Sequence, residues 1–568
     1  MACSGHTDPD RSTSTRSPAA DAVRPARTTG RCLIVLALGC TLTLSAPLTA
    51  QGAFGPDGAS WVVNEGQNFT QKQGRISADP DLERLSFAWH SSLNLNDVWA
   101  RLYDVDGTPL TGDLMANASF GIGIQDEPDV ALGEGGNTFI AWSDRAAFDG
   151  DNMGIAAVVL DAFGVPLGPE FVVNQTWVAS QWEPLIQPMP GGGFVIAWSG
   201  NNDGDAYIRV YDDAGLPLTP EIEVNTLGNN AQIDTVAAAS GMGTVFTVWV
   251  DHGGHGPGSG TNLFGRVYDE LGNALQSAEF LIHETVFEGA QREPRLVGDR
   301  MGRFLLVWED HENDGDGRGI YARRFDALGA PLGPEFLVNA TVTAGDQFAP
   351  NVAVDWLGNA VILFEDDSTG SHRVLGQRID RHDQPMGAAF VVSNNTLDGF
   401  SLPDVVMDQA YERMVLAWTG NGSVGSSPKQ DIFAQPYRFE PITVGGTPAP
   451  GQSFTLDLDL PGGDFLDYIL LGSLSTDPGI PLPKGRELAL TTDLLFSLTL
   501  NFPNAGVFVD FQGSLDGNGR ATAQVNLPAL PEISGLTMHF AAISLDSSEP
   551  TFPKKLRHVT DPVAVTIQ

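Results

Sequence analysis

The stretch from Arg303 to Gly333, RFLLVWEDHENDGDGRGIYARRFDALGAPLG, decides the fold. It begins with an apolar run that ends at Trp308, and an acidic, glycine-rich segment follows. A second run then ends in Phe-Asp at Asp326, just before a turn marked by Gly329. Short apolar runs bounded by Gly, Asn and Asp are typical of β-strands joined by turns.

The Trp-ended strand returns along most of the chain, at spacings of 51 to 59 residues. Its seven copies end at Trp89, Trp142, Trp198, Trp249, Trp308, Phe364 and Trp418. In most copies it is followed by a strand ending in Asp and by a third strand of the form EFVVN. A fourth strand, opened by Pro in most copies, precedes each Trp-ended strand. Each unit is therefore predicted to hold four short antiparallel strands.

One such sheet cannot bury both of its faces, whereas seven sheets arranged radially can, and closing the ring protects their edges. The sequence thus predicts an all-β protein with a seven-bladed β-propeller over residues 58–442. An open solenoid of the same units is the alternative. The segment from Trp61 to Glu65 matches the EFVVN strand, and it either opens the first blade or completes the seventh.

The repeat resembles a family found in large exported bacterial proteins, whose units read GGFVVVW, an Asp-Gly loop, GIYARRFD, a Gly turn and EFxVN. Residues 303–339 fit this pattern closely, and the resemblance covers roughly residues 60–439. It implies a propeller-like extracellular module and no particular reaction. Two copies depart from the pattern, with Phe364 in place of Trp and Arg438 in place of Asp.

Beyond the repeats, residues 443–453 form a Pro/Gly-rich linker and residues 454–568 carry strand-like runs. These runs predict a C-terminal β-sandwich, which loosely resembles terminal domains of exported bacterial proteins and implies no activity. They are Phe454 to Leu460, Phe465 to Leu471, Leu494 to Phe502, Val507 to Phe511, Ala521 to Leu527, Leu536 to Ser544 and Val563 to Ile567.

Residues 1–50 are predicted to be a signal peptide, because arginines precede an apolar run that is followed by small residues. The protein is then secreted or held at the cell surface or in the periplasm, with no transmembrane segment after signal removal. A lipid anchor at Cys40 is the alternative. All three cysteines lie in this leader, so the exported chain has no disulfide and must depend on a large packed core. The full chain has a formal net charge of −39, and a field of this sign repels nucleic acid and anionic membranes.

The acidic loops after the Trp-ended strands suggest calcium, because Asp, Asn and Gly at alternate positions supply oxygen ligands on a sharp turn. Plain hairpin turns use the same residues and are the alternative. Calcium is the one cofactor that the sequence suggests. The candidate ligands are Asp149, Asp151, Asp203, Asp205, Asp314 and Asp316.

Two further sets recur at fixed positions of the repeat. The repeated Trp residues could stack on sugars, but apolar neighbours on both sides favour a role in the core. A Gln at the start of the fourth strand favours buried hydrogen bonds between blades. Three copies add a Glu two residues later, at Glu127, Glu183 and Glu293, and a ring of carboxylates at the channel mouth is the alternative there. The five copies of the Gln are Gln125, Gln181, Gln232, Gln291 and Gln347.

The sequence contains no nucleophile, metalloprotease or nucleotide-binding motif, so no catalytic residue is predicted. We expect a non-enzymatic recognition or adhesion protein that binds a polysaccharide or another surface protein through the face made by the Trp-strand loops. A propeller glycoside hydrolase or polysaccharide lyase is one alternative, and a structural envelope protein is another. Acidic side chains that converge at the channel mouth would favour the enzyme.

Overall fold

The computed structural model describes residues 54–568 apart from short gaps, and the predicted signal peptide lies outside the described residues. The gaps are 66–68, 80–82, 93–95, 120–122, 146–149, 151, 201–203, 229–230, 259, 286–288, 356–357, 394–400, 409–412, 422–428, 462, 483–486 and 549–555. No helix in these described ranges has the length and apolar character needed to cross a membrane.

The described residues up to 439 form strands β1 to β29, which confirms the predicted all-β class. In chain order they are β1 (Phe54–Pro56), β2 (Trp61–Val62), β3 (Gln71–Ala78), β4 (Arg84–Ser91), β5 (Asp97–Asp104), β6 (Leu114–Met115), β7 (Gln125–Leu132), β8 (Thr138–Asp144), β9 (Gly154–Leu160), β10 (Phe171–Val172), β11 (Gln181–Pro188), β12 (Phe194–Gly200), β13 (Asp205–Tyr211), β14 (Ile222–Glu223), β15 (Gln232–Ala239), β16 (Thr244–Asp251), β17 (Asn262–Asp269), β18 (Phe280–Leu281), β19 (Gln291–Gly298), β20 (Phe304–His311), β21 (Arg318–Phe325), β22 (Phe336–Leu337), β23 (Gln347–Val354), β24 (Ala360–Asp366), β25 (Arg373–Ile379), β26 (Phe390–Ser393), β27 (Asp404–Met407), β28 (Arg413–Asn421) and β29 (Gln430–Phe439).

These strands form antiparallel sheets in which consecutive strands pair. Six sheets have four strands each: β3 to β6, β7 to β10, β11 to β14, β15 to β18, β19 to β22 and β23 to β26. The next sheet joins β27, β28 and β29 to β1 and β2. The first strand of each sheet lies beside the first strand of the next, and β27 lies beside β3, so this order closes on itself.

The N-terminal strands complete the last sheet, which decides between the two positions left open for residues 61–65. Strand β2 pairs with β29, with Trp61 opposite Ala434. The buried Asn64 adds side-chain bonds: its Oδ1 accepts from the Ile432 backbone N–H at 2.9 Å, and its Nδ2 donates to Asp431 Oδ1 at 2.9 Å.

The repeated Trp residues are core residues, as their apolar neighbours predicted. The Trp side chains of the first five copies are at most 1% exposed, and Phe364 in the sixth is fully buried. Several stack on an aromatic of the next strand, as Trp198 does on Tyr207 at 5.8 Å between ring centroids. Because these rings fill the space between neighbouring sheets, they fix the distance between the sheets.

Past residue 440, two sheets face each other across one apolar core that contains Phe454, Leu470 and Phe540. Strand β30 covers the first residues of the predicted linker and pairs with β31. The strands are β30 (Ile442–Gly445), β31 (Ser453–Asp459), β32 (Asp467–Ser473), β33 (Ile480–Pro481), β34 (Glu487–Leu488), β35 (Phe508–Val509), β36 (Gln512–Ser514), β37 (Arg520–Asn526), β38 (Thr537–Leu545), β39 (Leu556–Val559) and β40 (Val563–Thr566).

The prediction of a strand from Leu494 to Phe502 is wrong, because helix α1 (Leu494–Asn501) lies there. The Asp493 side chain caps the helix by accepting from the Phe496 backbone N–H at 2.9 Å. Its buried residues, Leu495, Phe496 and Thr499, are spaced to share one helical face. A short apolar run fits a strand or a buried helix equally well, and here the cap decides. A 3₁₀ turn at Pro531–Ile533 follows β37.

The C-terminal region contacts the sixth and seventh sheets through polar side chains. Arg381 Nη2 donates to Asp464 Oδ2 at 3.1 Å. Asn359 Nδ2 donates to the Pro461 carbonyl at 3.2 Å, and Arg438 pairs with Asp561. Asn359 and Arg381 lie at the strand ends away from the Gln residues that begin the first strands.

Candidate functional site

A distortion repeats near the start of the first strand in the repeated sheets. In six of them the pairing with the second strand shifts register just after the strand begins, as between Trp182 and Leu185. The residue inside the shift adopts a left-handed backbone in these six sheets. In the seventh sheet Leu402, two residues before β27, does the same, and φ lies between 39° and 54° in all seven. The seven residues are Gln73, Glu127, Glu183, Asp234, Glu293, Ala349 and Leu402. None is glycine, so each copy holds a strained conformation, and such bulges re-aim a side chain.

These side chains converge on one end of the channel, where six of the seven line a cavity of about 140 Å³. We call Glu127, Glu183, Asp234 and Glu293 the acid arc. They come from four consecutive sheets. Gln73 and Leu402 complete the lining with uncharged side chains. The first strand of each sheet begins beside the end of the Trp-ended strand, as Gln181 does beside Gly200. The acid arc therefore lies on the face of the Trp-strand loops.

Hydrogen bonds between neighbouring sheets hold the arc in place. The Glu127 backbone N–H donates to Gln73 Oε1 at 3.0 Å. The Glu183 backbone N–H donates to Ser143 Oγ at 3.0 Å and to Glu127 Oε2 at 3.2 Å. Ser143 Oγ in turn donates to Glu127 Oε2 at 2.7 Å. The backbone N–H groups of Glu127 and Glu183 are thus tied to side chains of the preceding sheet, which orients these two carboxyls before any ligand arrives.

The arc holds a proton at neutral pH. The Glu183 side chain is exposed to water only within the channel, because the surrounding sheets enclose it. Desolvation by these sheets, with the charges of Asp234, Glu127 and Glu293, raises the pKa of Glu183 to about 8. Burial and the Glu293 charge raise the pKa of Asp234 to about 6, although a hydrogen bond with Glu183 opposes the rise. Near pH 7 the Glu183–Asp234 pair therefore carries one proton.

A second set of seven residues lies two positions further along the same strands and forms the floor beneath the arc. Arg75 and Arg295 line both the upper cavity and a larger one of about 250 Å³ below it. Arg295 Nη2 lies 3.7 Å from Glu293 Oε2, and Arg75 Nε lies 4.0 Å from Asp129 Oδ1. The set is Arg75, Asp129, Leu185, Val236, Arg295, Asn351 and Asp404.

The carboxylates of this floor tie neighbouring first strands together. The Ile186 backbone N–H donates to Asp129 Oδ2 at 2.7 Å, and Asn351 Nδ2 donates to Asp404 Oδ1 at 2.8 Å. Burial raises the pKa of Asp129 to about 6. Asp129 and Asp404 thus make structural bonds between strands, whereas the acid arc lines the upper cavity.

The repeated Gln residues are fully buried and hydrogen-bonded, which fits the structural role expected for them. Gln347 is typical: its Oε1 accepts from Asn339 at 2.6 Å and its Nε2 donates to Asp366 at 3.0 Å. The alternative for the neighbouring Glu residues was a set of carboxylates at the channel mouth. Glu127, Glu183 and Glu293 do line one cavity there. Sequence reasoning missed Asp234, although it stands two residues after Gln232 as each Glu stands after its own Gln.

The calcium loops remain a prediction. Asp149, Asp151 and Asp203 lie outside the described residues. Asp205 Oδ1 accepts from Asn225 at 3.0 Å. Asp314 Oδ1 accepts from the Asp316 backbone N–H at 3.1 Å, as in a simple turn. Where the chain is described, no three His, Cys, Asp or Glu residues group closely enough to hold a metal ion.

Comparisons with known proteins give structural neighbours only. No protein-family model matches the chain. No curated protein matches it either. An ulvan lyase resembles it with 10% identity and a TM-score of 0.41, over 68% of this chain and 94% of the lyase. An α-L-arabinanase from Penicillium chrysogenum is 12% identical with a TM-score of 0.37, over 68% of this chain and 97% of the arabinanase. The β-propeller domain of the trilobed protease from Pyrococcus furiosus is 9% identical with a TM-score of 0.40, over 65% of this chain and 95% of that domain. The likeness is one of repeated, blade-like sheets.

These findings correct the expectation of a non-enzymatic recognition or adhesion protein. The neighbours include polysaccharide lyases and arabinanases, which are enzymes. The channel itself agrees, because four acids from consecutive sheets converge at its mouth. Convergence of acidic side chains at the channel mouth was the feature expected to favour the enzyme. The sequence alone could not reveal this convergence, because the closed order of the sheets brings residues 127 and 293 to one cavity.

Proposed function

We propose that the protein is an exported glycoside hydrolase with its active site in the acid arc, built on a seven-bladed β-propeller that precedes a C-terminal β-sandwich. The closed order of first strands and the N-terminal completion of the last sheet support the propeller. Two sheets that share one core support the sandwich. The basic and apolar leader over residues 1–50 supports export.

One observation carries the enzymatic proposal: neighbouring carboxyls whose pKa values differ, near 8 for Glu183 and near 6 for Asp234. Glycoside hydrolysis needs a carboxylic acid that still holds its proton and a carboxylate that does not. Environments that separate the pKa values of two neighbouring acids are the usual means of supplying a protonated and an ionised carboxyl at one pH.

In this mechanism Glu183 donates its proton to the glycosidic oxygen as the bond to the anomeric carbon breaks. Ionised Asp234 stabilises the positive charge that develops on the sugar. Glu293 is the best-placed carboxylate to hold the attacking water, since its side chain is 47% exposed and lies near Arg295. Glu127 is less free, because Ser143 and the Glu183 backbone N–H already bond to it. The water gives its hydroxyl to the anomeric carbon, and its proton restores Glu183 through the arc.

The charge of the site favours hydrolysis over lyase chemistry. A polysaccharide lyase acts on a uronate, whose carboxylate must approach the reacting groups. Here an anionic sugar would meet four acids at the mouth, while Arg75 and Arg295 lie on the floor beneath them. Like charges repel strongly where the surroundings exclude water. A neutral polysaccharide avoids this repulsion.

The test is incubation of the protein with neutral polysaccharides (arabinan, xylan and β-glucan) beside uronate-containing ones, with Glu183→Gln as the paired variant. We expect new reducing ends from a neutral polymer, and their loss in the variant. Cleavage that instead produces the ultraviolet absorbance of an unsaturated uronate would replace the hydrolase by a lyase. Equal release by wild type and variant would remove Glu183 from the chemistry.

A further inference from the structure

One tryptophan does not belong to the core. Trp177 is 61% exposed, whereas Trp142, Trp198 and Trp308 are fully buried. It is the only tryptophan among the described residues with such exposure, and Val178 beside it is 65% exposed. Burying a large apolar ring against a ligand would gain free energy. The exposed indole face is therefore available to pack against a ligand.

The segment that carries Trp177 is pinned on both sides. Asn174 Nδ2 donates to the Thr176 carbonyl at 2.9 Å, and Gln181 Nε2 donates to the Val178 carbonyl at 3.3 Å. Asn174 and Gln181 also bond to each other at 3.1 Å. A carboxylate of the next sheet accepts from the Thr176 backbone N–H at 3.2 Å. The indole is thus presented on an ordered backbone, which lowers the entropy lost when a ligand binds.

The position of this segment links it to the acid arc. It leads directly into β11, which carries Glu183, on the face where the first strands begin. Trp182, the neighbour of Glu183, is itself partly exposed. Four residues before the equivalent Gln, two other repeats have Gly228 and Thr343 in place of Trp177, and a third has Phe287. An aromatic ring is therefore not a feature of every repeat, and the tryptophan occurs at this position in the sheet that carries Glu183.

We propose that Trp177 is a sugar-stacking subsite of the acid arc, which binds a pyranose or furanose ring of a neutral polysaccharide next to the unit being cleaved. The C–H face of a sugar packs on an aromatic face without needing a charge, and this suits a ligand that must avoid the acids. The inference rests on the proposed function, because it assigns Trp177 to substrate binding for the Glu183 reaction.

Two measurements test it on the full protein with oligosaccharides of arabinan, xylan and β-glucan. In the Glu183→Gln variant, a binding oligosaccharide should quench or blue-shift tryptophan fluorescence, and adding Trp177→Phe should abolish the change. With Glu183 intact, Trp177→Ala should raise KM by about 3- to 10-fold at nearly constant kcat, as for loss of one stacking contact. Phe163→Ala is the matched control, because that ring is 82% exposed in a turn at the opposite strand ends, and it should change neither quantity.

The outcomes separate this inference from the proposed function. Loss of cleavage in Glu183→Gln with unchanged binding and KM in Trp177→Ala would overturn the subsite and leave the hydrolase standing. A fluorescence change that depends on Trp177, with an oligosaccharide that the wild-type protein never cleaves, would overturn the hydrolase and keep the stacking site. Equal effects of Trp177→Ala and Phe163→Ala would overturn the subsite.

Discussion

The side chains of Glu183 and Asp234 line one cavity although they come from neighbouring sheets. Burial and the neighbouring charge raise the pKa of Glu183 to about 8, and that of Asp234 rises to about 6. The pair consequently carries one proton over the neutral range. This shared proton, rather than either residue alone, is the property on which the pH behaviour of the protein should depend.

The rate of glycoside cleavage should have a bell-shaped dependence on pH. It should fall above about pH 8, where Glu183 loses the proton that it must donate, and below about pH 6, where Asp234 becomes protonated. Asp234→Asn removes a like charge, so the alkaline limb should move to lower pH. The measurement is kcat/KM against pH, with the exposed Glu270→Gln as a control whose profile should match the wild type. An unmoved alkaline limb in Asp234→Asn would contradict the coupling.

Removal of the Glu183 charge should also change stability in a pH-dependent way. The folded pKa near 8 lies above the ordinary value of 4.5, so the folded state binds more protons between these limits. The contribution of Glu183 to stability is therefore present below about pH 4.5 and lost as pH rises through 8. Glu183→Gln should raise Tm at pH 8 and change it little at pH 5. Calorimetry at both pH values, with Glu270→Gln alongside, checks this, and a gain at pH 5 alone would contradict the sign.

The two classes of tryptophan should respond differently to truncation. Trp308 is fully buried and stacks on Tyr321, so Trp308→Ala should cost about 3–5 kcal/mol of unfolding free energy. Trp177 is exposed, so Trp177→Ala should stay within about 0.5 kcal/mol of wild type. Urea denaturation followed by circular dichroism measures both. A large loss in Trp177→Ala would show that this ring supports the fold.

How far the sequence predicted this molecule depends on whether the signal was local. The Trp-ended strands were predictable, because burial between sheets demands an apolar run at each repeat. Glu127, Glu183 and Glu293 were visible as a pattern, but their convergence was not, since it arises from the closed order of the sheets. Asp234 was missed because its repeat lacks the Pro that marked the others. The raised pKa of Glu183 depends on neighbours more than 50 residues away in sequence.

Helix α1 shows the opposite limit, where local information was ambiguous. The run from Leu494 is apolar enough for a strand, and only the capping bond of Asp493 and the spacing of the buried side chains separate the two structures. The prediction of a binding protein rather than an enzyme was wrong because it relied on catalytic motifs, whose residues lie close together in sequence. An active site assembled from one acid per repeat leaves no such motif.

Calcium should raise the melting temperature if the acidic loops bind it. The aspartates at 314 and 316 flank Gly315, and Asp316 Oδ2 already accepts from the Gly345 backbone N–H at 3.4 Å, so a cation there would join two loops. A ligand at about 100 times its Kd stabilises by about 2.7 kcal/mol. The measurement is Tm in calcium and in EDTA for wild type and for the double variant Asp314→Asn and Asp316→Asn. Equal melts of the wild type in both buffers would remove calcium from the account.

The closure of the last sheet should depend on Asn64 more than its local bonds suggest. Asn225 is the matched control, since its Oδ1 accepts from the Ala206 backbone N–H at 2.8 Å and its Nδ2 donates to Asp205 at 3.0 Å. Asn64 makes the same two bonds to Ile432 and Asp431 at 2.9 Å each. Replacing either Asn by Ala removes the bond to a backbone N–H and the bond to a carboxylate, and a buried N–H left without its acceptor costs about 1–3 kcal/mol.

The two variants should differ in what opens. Asn225 follows the last strand of its own sheet, and its Nδ2 also donates to Gln232 of the next sheet at 3.3 Å. Asn64 instead ties residues near the start of the described chain to Asp431 of strand β29, 367 residues later in sequence. Asn64→Ala should therefore speed hydrogen exchange along Gln430–Phe439, while Asn225→Ala should change exchange only near Asp205 and Gln232. Exchange mass spectrometry on both proteins measures this. Equal protection of β29 in the two variants would mean that the ring stays closed without the Asn64 bonds.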